Sequence, residues 1–156
     1  MTDPDRAHIL PDPATDYGRH VRRRLAEEEI VWLCIVNSAG VPQPNPVWFV
    51  WTPDEDDEWG DGSFLIYHRD TAARIRSLKE RPKVTLHFDG GIEDRDVSIF
   101  TGEVEILDGH PSIGEIPGFV AKYTARAEKY FGKPVGEALA QYTVATRIRP
   151  TKMRGN

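Results

Sequence analysis

The chain reads as an α+β protein, mainly β, folded as a barrel with a few inserted helices. Short runs rich in β-branched and aromatic residues recur from Ile30 to Leu107 and again from Thr143 to Ile148. Clusters of glycine, proline, asparagine and aspartate separate these runs, as turns separate strands. Stretches with helical spacing are few and do not alternate regularly with the strands, which argues against a doubly wound parallel sheet. With 156 residues the chain is expected to bury roughly two thirds of its unfolded surface in one domain.

Residues 1–15, with prolines at 4, 11 and 13, are expected to form a flexible arm, and 16–156 a single domain. From Asp16 the spacing predicts a helix to about Glu28, with Tyr17, Val21 and Leu25 on one face and Arg19, Arg22 and Arg23 on the other. Ile30 to Val36 is a continuous apolar run that fits a strand buried on both faces. Asn37-Ser38-Ala39-Gly40 supplies a hairpin turn, and the proline-rich Gly40 to Pro46 extends it. Val47 to Thr52 is expected as the return strand. Pro53 to Gly62 holds six acidic residues, two glycines and Trp59, and reads as an exposed loop.

Phe64 to His68 is the third expected strand. Thr71 to Glu80 follows as a helix with Thr71 in the N-cap position, Ile75 and Leu78 turned inward, and Pro82 ending it. Val84 to Phe88 alternates as a fourth strand. Val97 to Leu107 is a long fifth one, with Gly102 marking a bulge. Phe119, Val120, Tyr123, Ala127, Tyr130 and Phe131 recur at helical spacing from about Ile116, and a shorter helix covers Val135 to Gln141. Thr143 to Ile148 is the last strand, and Pro150 to Asn156 is expected as a basic tail.

Composition narrows the function classes. The formal net charge of −5 comes from mixed charges and does not suggest a nucleic-acid partner. Cys34, the single cysteine, lies in an apolar run and reads as a small buried hydrophobe in a reducing cytoplasm. No apolar stretch approaches the ~20 residues that span a bilayer, and the amino terminus lacks a signal peptide's apolar core. A cytoplasmic protein without a membrane partner is expected.

Catalytic motifs are missing. The glycine pattern of a dinucleotide fold, a phosphate-binding P-loop and a Gly-x-Ser-x-Gly elbow are all absent. The five histidines form no spaced ligand pairs with cysteine, so no metal site is expected. Glu103 and Glu105 share a strand face and read as a surface pair. What remains is the junction between the third strand and its helix, where His68, Arg69, Thr71 and Arg74 gather near a helix N-terminus. Unpaired N–H groups, the helix dipole and guanidinium forks favour an anion there. Beside it runs the aromatic strand Val47-Trp48-Phe49-Val50-Trp51, expected as a flat apolar wall. A planar ring carrying a phosphate needs both features.

On these residues the chain resembles a known family. Its carriers are Gly40-Val41-Pro42-Gln43-Pro44, Pro46-Val47-Trp48-Phe49, Thr71-Ala72-Ala73-Arg74 with Leu78, Arg81-Pro82-Lys83-Val84 and Gly102-Glu103-Val104-Glu105-Ile106, with Arg149-Pro150-Thr151 as a weaker match. It looks like the pyridoxamine 5'-phosphate oxidase-like split β-barrel proteins, in the actinobacterial branch that uses the deazaflavin coenzyme F-420. The resemblance implies a six-to-seven-stranded antiparallel split β-barrel with flanking helices, of the FMN-binding type. Arg74 stands where the family commonly has a phosphate-binding lysine, and Ser77-Leu78 where it often has Asn-Leu.

Carried over by position, Asn45, Pro46, Val47 and Trp48 would line the ring and its side chain. Tyr67, His68, Arg69, Thr71, Ala72 and Arg74 would hold the phosphate and linker. The resemblance further implies a homodimer with the cofactor site at its interface, and Lys122, Tyr123 and Arg126 as residues the second subunit would contribute. The implied activity is hydride transfer from reduced coenzyme F-420 to a small or planar conjugated acceptor. Either Arg19, Arg22 and Arg23 or Arg147, Arg149, Lys152 and Arg154 would attract the coenzyme's oligoglutamate tail. The alternatives are an FMN-dependent oxidase or reductase, disfavoured by Ala72-Ala73-Arg74 in place of a Ser-Arg-Lys triplet, and a non-catalytic binder of the deazaflavin, haem or another planar ligand. The catalytic residues and the substrate are not assigned by the sequence.

Overall fold

The computed structural model describes residues 7–91 and 96–156. Seven strands form one antiparallel sheet: β1 (Val31–Val36), β2 (Pro42–Val47), β3 (Val50–Pro53), β4 (Gly62–His68), β5 (Lys83–His87), β6 (Ser98–Leu107) and β7 (Val144–Gly155). Their spatial order is β2-β1-β5-β6-β7-β4-β3. The two edge strands, β2 and β3, are consecutive in sequence and joined only by Trp48-Phe49, so the sheet must curl until its edges approach. This is the split barrel, α+β, that the resemblance implies.

Helix α1 (Asp16–Glu27) begins at Thr15, whose hydroxyl accepts the Gly18 N–H at 3.0 Å. Its Val21 and Leu25, together with Leu78 of α2 (Ala72–Glu80), pack on the apolar barrel interior. That interior is filled by Leu33, Phe49, Phe64, Ile66, Leu86, Phe100 and Ile148, each at most 1% exposed. A second apolar layer lies on the other side of β4 and β7. There α3 (Pro117–Phe131) and α4 (Val135–Ala138) place Phe119, Tyr123, Ala127 and Val135 against Leu65, Tyr67 and Ala145.

Four expectations need correction. The Pro42–Val47 stretch, expected as part of a turn, is strand β2, paired with β1 from Val31↔Val47 to Val36↔Pro42. Proline cannot donate to a ladder, but an edge strand tolerates it, and prolines 42, 44 and 46 share one phase of the strand. The donors to β1 must therefore come from Gln43, Asn45 and Val47, and the free edge presents carbonyls alone, which discourages further strand addition. The single return strand expected over Val47–Thr52 is split at Trp48-Phe49 between β2 and β3. The basic tail is no tail, because β7 runs on to Gly155 opposite the long β6.

The fourth concerns the arm. Residues 1–6 lie outside the described residues, but 7–15 are docked: Leu10 is 2% exposed, and the Asp61 carboxylate accepts the Ile9 and Leu10 N–H groups at 2.8 and 2.9 Å. The bulge expected at Gly102 is present, since Thr101 pairs with Lys152 and Gly102 with Pro150, leaving Thr151 unpaired in register. A Cβ on Gly102 would stand 2.7 Å from the Arg149 carbonyl oxygen, so only glycine fits. Glu103 and Glu105 face Arg149 and Arg147 across the β6–β7 ladder.

Candidate cofactor site

Strand alternation builds the site. Along β4, Phe64, Ile66 and His68 turn into the barrel, whereas Leu65 and Tyr67 turn toward α3. The same division falls on the β2–β3 link. Phe49 is fully buried in the barrel, against Phe64 and Phe88 at 5.5 and 5.8 Å between ring centroids. Trp48 goes the other way and stacks on Tyr123 of α3, 4.5 Å apart and 6° from parallel. The aromatic run is therefore not one flat wall: Trp51 also faces the barrel, 5.0 Å from Phe64.

Tyr123 pins this link. Its hydroxyl accepts the Phe49 N–H at 2.8 Å and lies within donating distance of the carbonyls of Phe49 (2.8 Å) and Glu29 (2.9 Å). Burial pushes its phenol well above the usual range, so it stays protonated. Lys122 donates to the Phe49 carbonyl at 3.1 Å, and burial lowers its ammonium to about 8 against the opposing pull of Glu29 and Glu28. Tyr123 is 0% exposed, so its ring is engaged wholly within its own chain.

Between the outer face of the sheet and α3 lies a cavity of about 270 Å³. Asn45, Pro46, Val47, Trp48, Tyr67 and Arg74 line it, six of the ten predicted positions. The remaining walls are Ile113, Phe119, Phe131, Leu139 and Tyr142, none of which was singled out from sequence as a site residue. Helical spacing had marked Phe119 and Phe131 only as packing residues. The Arg74 guanidinium donates to Asn45 Oδ1 at 2.7 Å, which ties α2 to β2. The Asn45 side-chain amide in turn donates to the Gln43 carbonyl at 2.9 Å. The Tyr67 hydroxyl donates to the Pro111 carbonyl at 2.6 Å, and burial, with the Glu115 charge adding, pushes its phenol up to about 12.

The other four predicted positions stand apart from the lining. Arg69 is exposed, but its guanidinium sits 5.3 Å over the ring of Tyr142, at the cavity wall. Thr71 caps α2 by position and makes no side-chain capping bond, while Ala72 opens the helix. His68 turns inward and is 1% exposed. Thr146 Oγ1 donates to the Ile66 carbonyl at 2.9 Å, so at its 3.0 Å contact with His68 it must accept, and Nε2 carries the proton. Burial, reinforced by the Arg74 charge, lowers the imidazole to about 4.

A wider depression of about 490 Å³ opens beside α1, lined by His20, Arg24, Glu28, Trp32, Asp89 and Arg126 among others. Its central cation, Arg24, is already paired with Asp96 at 3.0 Å and Glu28 at 3.1 Å. The smaller cavity therefore offers the better combination of apolar wall and available cation.

The pyridoxamine 5'-phosphate oxidase family model matches residues 18–155. The chain belongs to that family. The family includes oxidoreductases, and the seven-stranded sheet described above is its split barrel. No curated protein sequence matches the chain.

Among solved structures, an F420 reductase is 22% identical, with a TM-score of 0.55 over 83% of this chain and 92% of that one. A conserved protein from Mycobacterium tuberculosis is 16% identical, with a TM-score of 0.61 over 97% and 88%. The haem storage protein HutZ from Vibrio cholerae is 13% identical, with a TM-score of 0.56 over 88% and 92%. At these identities the likeness is one of fold. Among the described residues no helix is long and apolar enough to cross a membrane.

Proposed function

We propose that this member of the pyridoxamine 5'-phosphate oxidase family is a flavin-type oxidoreductase, with the deazaflavin coenzyme F-420 as its cofactor and a planar conjugated acceptor as its substrate. The observation that carries the proposal is the cavity that gathers Asn45, Trp48, Tyr67 and Arg74 against the apolar Ile113, Phe119 and Leu139. It matches the needs of an aromatic ring joined to an anion. The free edge of β2, bare of N–H donors beside Asn45 and Pro46, offers carbonyl acceptors to a ring N–H.

The volume supports a second element of the proposal. About 270 Å³ lies just under the roughly 300–1,000 Å³ of typical ligand sites, so one chain encloses only part of a flavin-sized molecule. A homodimer with the site at its interface completes it. The 59% and 51% exposure of Tyr130 and Phe131, the latter at the cavity wall, supports a covering surface there.

When bound, the reduced deazaflavin supplies a hydride from its ring. The protein's own residues bind, orient and exclude water. Arg74 and Arg69 meet negative charge, and Trp48, held flat by Tyr123, gives the ring a rigid neighbour. Tyr67 keeps its proton, committed to the Pro111 carbonyl, and serves as wall and anchor. FMN is the second reading for the cofactor, and a storage role for a planar ligand is the second reading for the activity.

The test is turnover of chemically reduced coenzyme F-420 against a panel of enones, quinones and open tetrapyrroles, with reduced FMN in parallel. Acceptor-dependent oxidation of the deazaflavin supports the proposal. Oxidation of FMN alone moves the protein to the flavin branch. Tight binding without turnover of either points to storage.

A further inference from the structure

The break between β2 and β3 takes Phe49 out of the strand ladders, and its backbone finds partners in side chains of α3 instead. The Phe49 N–H, the Phe49 carbonyl and the nearby Glu29 carbonyl all lie within reach of the Tyr123 hydroxyl, at 2.8, 2.8 and 2.9 Å. Tyr123 cannot satisfy all three. Its oxygen accepts the Phe49 N–H, but it carries one hydrogen for two carbonyls.

Lys122 supplies the second donor. Its ammonium donates to the Phe49 carbonyl at 3.1 Å, and the same nitrogen sits 3.6 Å from the centroid of the Phe49 ring. One cation therefore grips Phe49 by its peptide and by its aromatic face. Tyr123 holds the peptide on the Trp48 side of Phe49, and Lys122 holds the peptide on the Val50 side. With the Phe49 carbonyl served by Lys122, the single Tyr123 hydrogen is free for Glu29, and the hydroxyl stays where it accepts the Phe49 N–H.

The surrounding charges leave Lys122 to this task. Glu28 and Glu29, just after α1, are the carboxylates that act on it. Arg24 takes Glu28 at 3.1 Å, and Arg126, one turn along α3, takes Glu29 at 3.6 Å. Tyr123 beside it stays protonated and contributes no charge. The Lys122 charge is thus spent on Phe49.

We propose, on the reading of the 270 Å³ cavity as a flavin-type site, that Lys122 is a positioning residue for it: the lysine charge fixes the Trp48–Phe49 link, keeps Trp48 flat at the cavity wall, and so strengthens the binding of a planar ring there. This position makes the site sensitive to pH. Burial lowers the Lys122 ammonium to about 8, so the charge is largely held at neutral pH and lost in mildly alkaline solution. The protonated form is the one that clamps the link. Ring affinity is therefore present below about 8 and falls as the pH rises through it, and a bound ring draws Lys122 toward its charged form.

The experiment is a fluorescence titration of wild type, Lys122→Met and Lys122→Arg with coenzyme F-420 and with FMN, from about pH 7 to about pH 9.5. Near-UV circular dichroism of the ligand-free proteins is followed over the same range. Groups that titrate on the ligand are common to all three proteins and cancel in the affinity ratios. At neutral pH Lys122→Met should bind the ring at least about fivefold more weakly, whereas Lys122→Arg, which keeps a charged donor, should stay within about twofold of wild type. Toward the alkaline end the wild-type advantage over Lys122→Met should vanish, and Lys122→Arg should keep it. The dichroism of the stacked Trp48–Tyr123 pair, identified by its loss in Trp48→Phe, should change with pH in the wild type and stay constant in Lys122→Arg.

Equal affinity of wild type and Lys122→Met overturns the proposal. So does a loss that Lys122→Arg shares in full, or a wild-type advantage that stays constant across the range. Should neither ring bind the wild type, the reading of the cavity fails, and the dichroism then decides the clamp: a Trp48 signal that ignores pH overturns it.

Discussion

Trp48 and Phe49 are adjacent in sequence and belong to the same break between β2 and β3, yet they build different things. Phe49, fully buried, joins a barrel interior closed by Phe64, Phe88 and Phe100. Trp48, half-buried, joins a layer that leaves a cavity between sheet and helix. The two apolar clusters share strands and differ in closure: one is filled by rings packed edge to face, the other is propped open by the stacked pair Trp48 and Tyr123. A closed core stabilises the fold. An incomplete one costs some of that stability and leaves room for a ligand.

If that division holds, variants inward and outward should separate stability from binding. The largest stability effect is expected for Phe64→Ala, which empties a fully buried ring site at about 3–5 kcal/mol. Chemical denaturation reads it, and cofactor affinity measured on the folded fraction should stay within about twofold.

The second prediction concerns pH. His68 titrates near 4 in the folded chain and near 6.5 when exposed, because burial disfavours its cation. The unfolded chain therefore takes up a proton first on acidification. The stability held above pH 6.5 falls as the pH drops toward about 4, by about 3 kcal/mol in all. In His68→Gln the same melts should show a shallower slope over that window, and an unchanged slope would show that His68 is not the titrating group.

A smaller loss, ~1–3 kcal/mol, is expected for Tyr123→Phe, which strands the buried Phe49 N–H. The same change should loosen Trp48 and weaken cofactor binding. Trp48→Ala should cost ~1 kcal/mol or less beyond its lost stacking, since one side of the ring is already open, but at least tenfold in affinity. Should Trp48→Ala destabilise as much as Phe64→Ala, the two clusters are one core.

Much of this division was legible before any coordinates. Apolar and β-branched runs marked strands β1, β4 and β6, alternation marked β5, and helical spacing marked Phe119, Tyr123 and Ala127 as one face. Six of the ten expected positions, residues 45–48, 67 and 74, line the outward cavity. The failures have physical causes. Prolines 42, 44 and 46 read as breakers because local propensity does not know that β2 is an edge. The charges of Arg149, Lys152 and Arg154 masked a strand that exists because the ten-residue β6 needs a partner along its length.

Docking of residues 7–15 depends on Asp61, some fifty positions away, and no local pattern reports that. Ile113, Leu139 and Tyr142 entered the cavity for the same reason: which loop closes over a sheet is settled by tertiary packing. The inward turn of His68 was readable, since it shares the phase of Phe64 and Ile66. Its polarity had drawn it to the surface site instead.

The most direct test is a fluorescence titration of the wild type and Arg74→Ala with coenzyme F-420, read through Trp48 at the cavity wall. Arg74 is half-buried and bonded only to Asn45 among the site's side chains, so its loss should move stability by about 0.5–1 kcal/mol at most. Saturable quenching in the wild type and at least tenfold weaker binding in Arg74→Ala, at nearly equal Tm, is the result the outward cavity predicts. Equal affinity in both proteins, or quenching by neither the deazaflavin nor FMN, would contradict it.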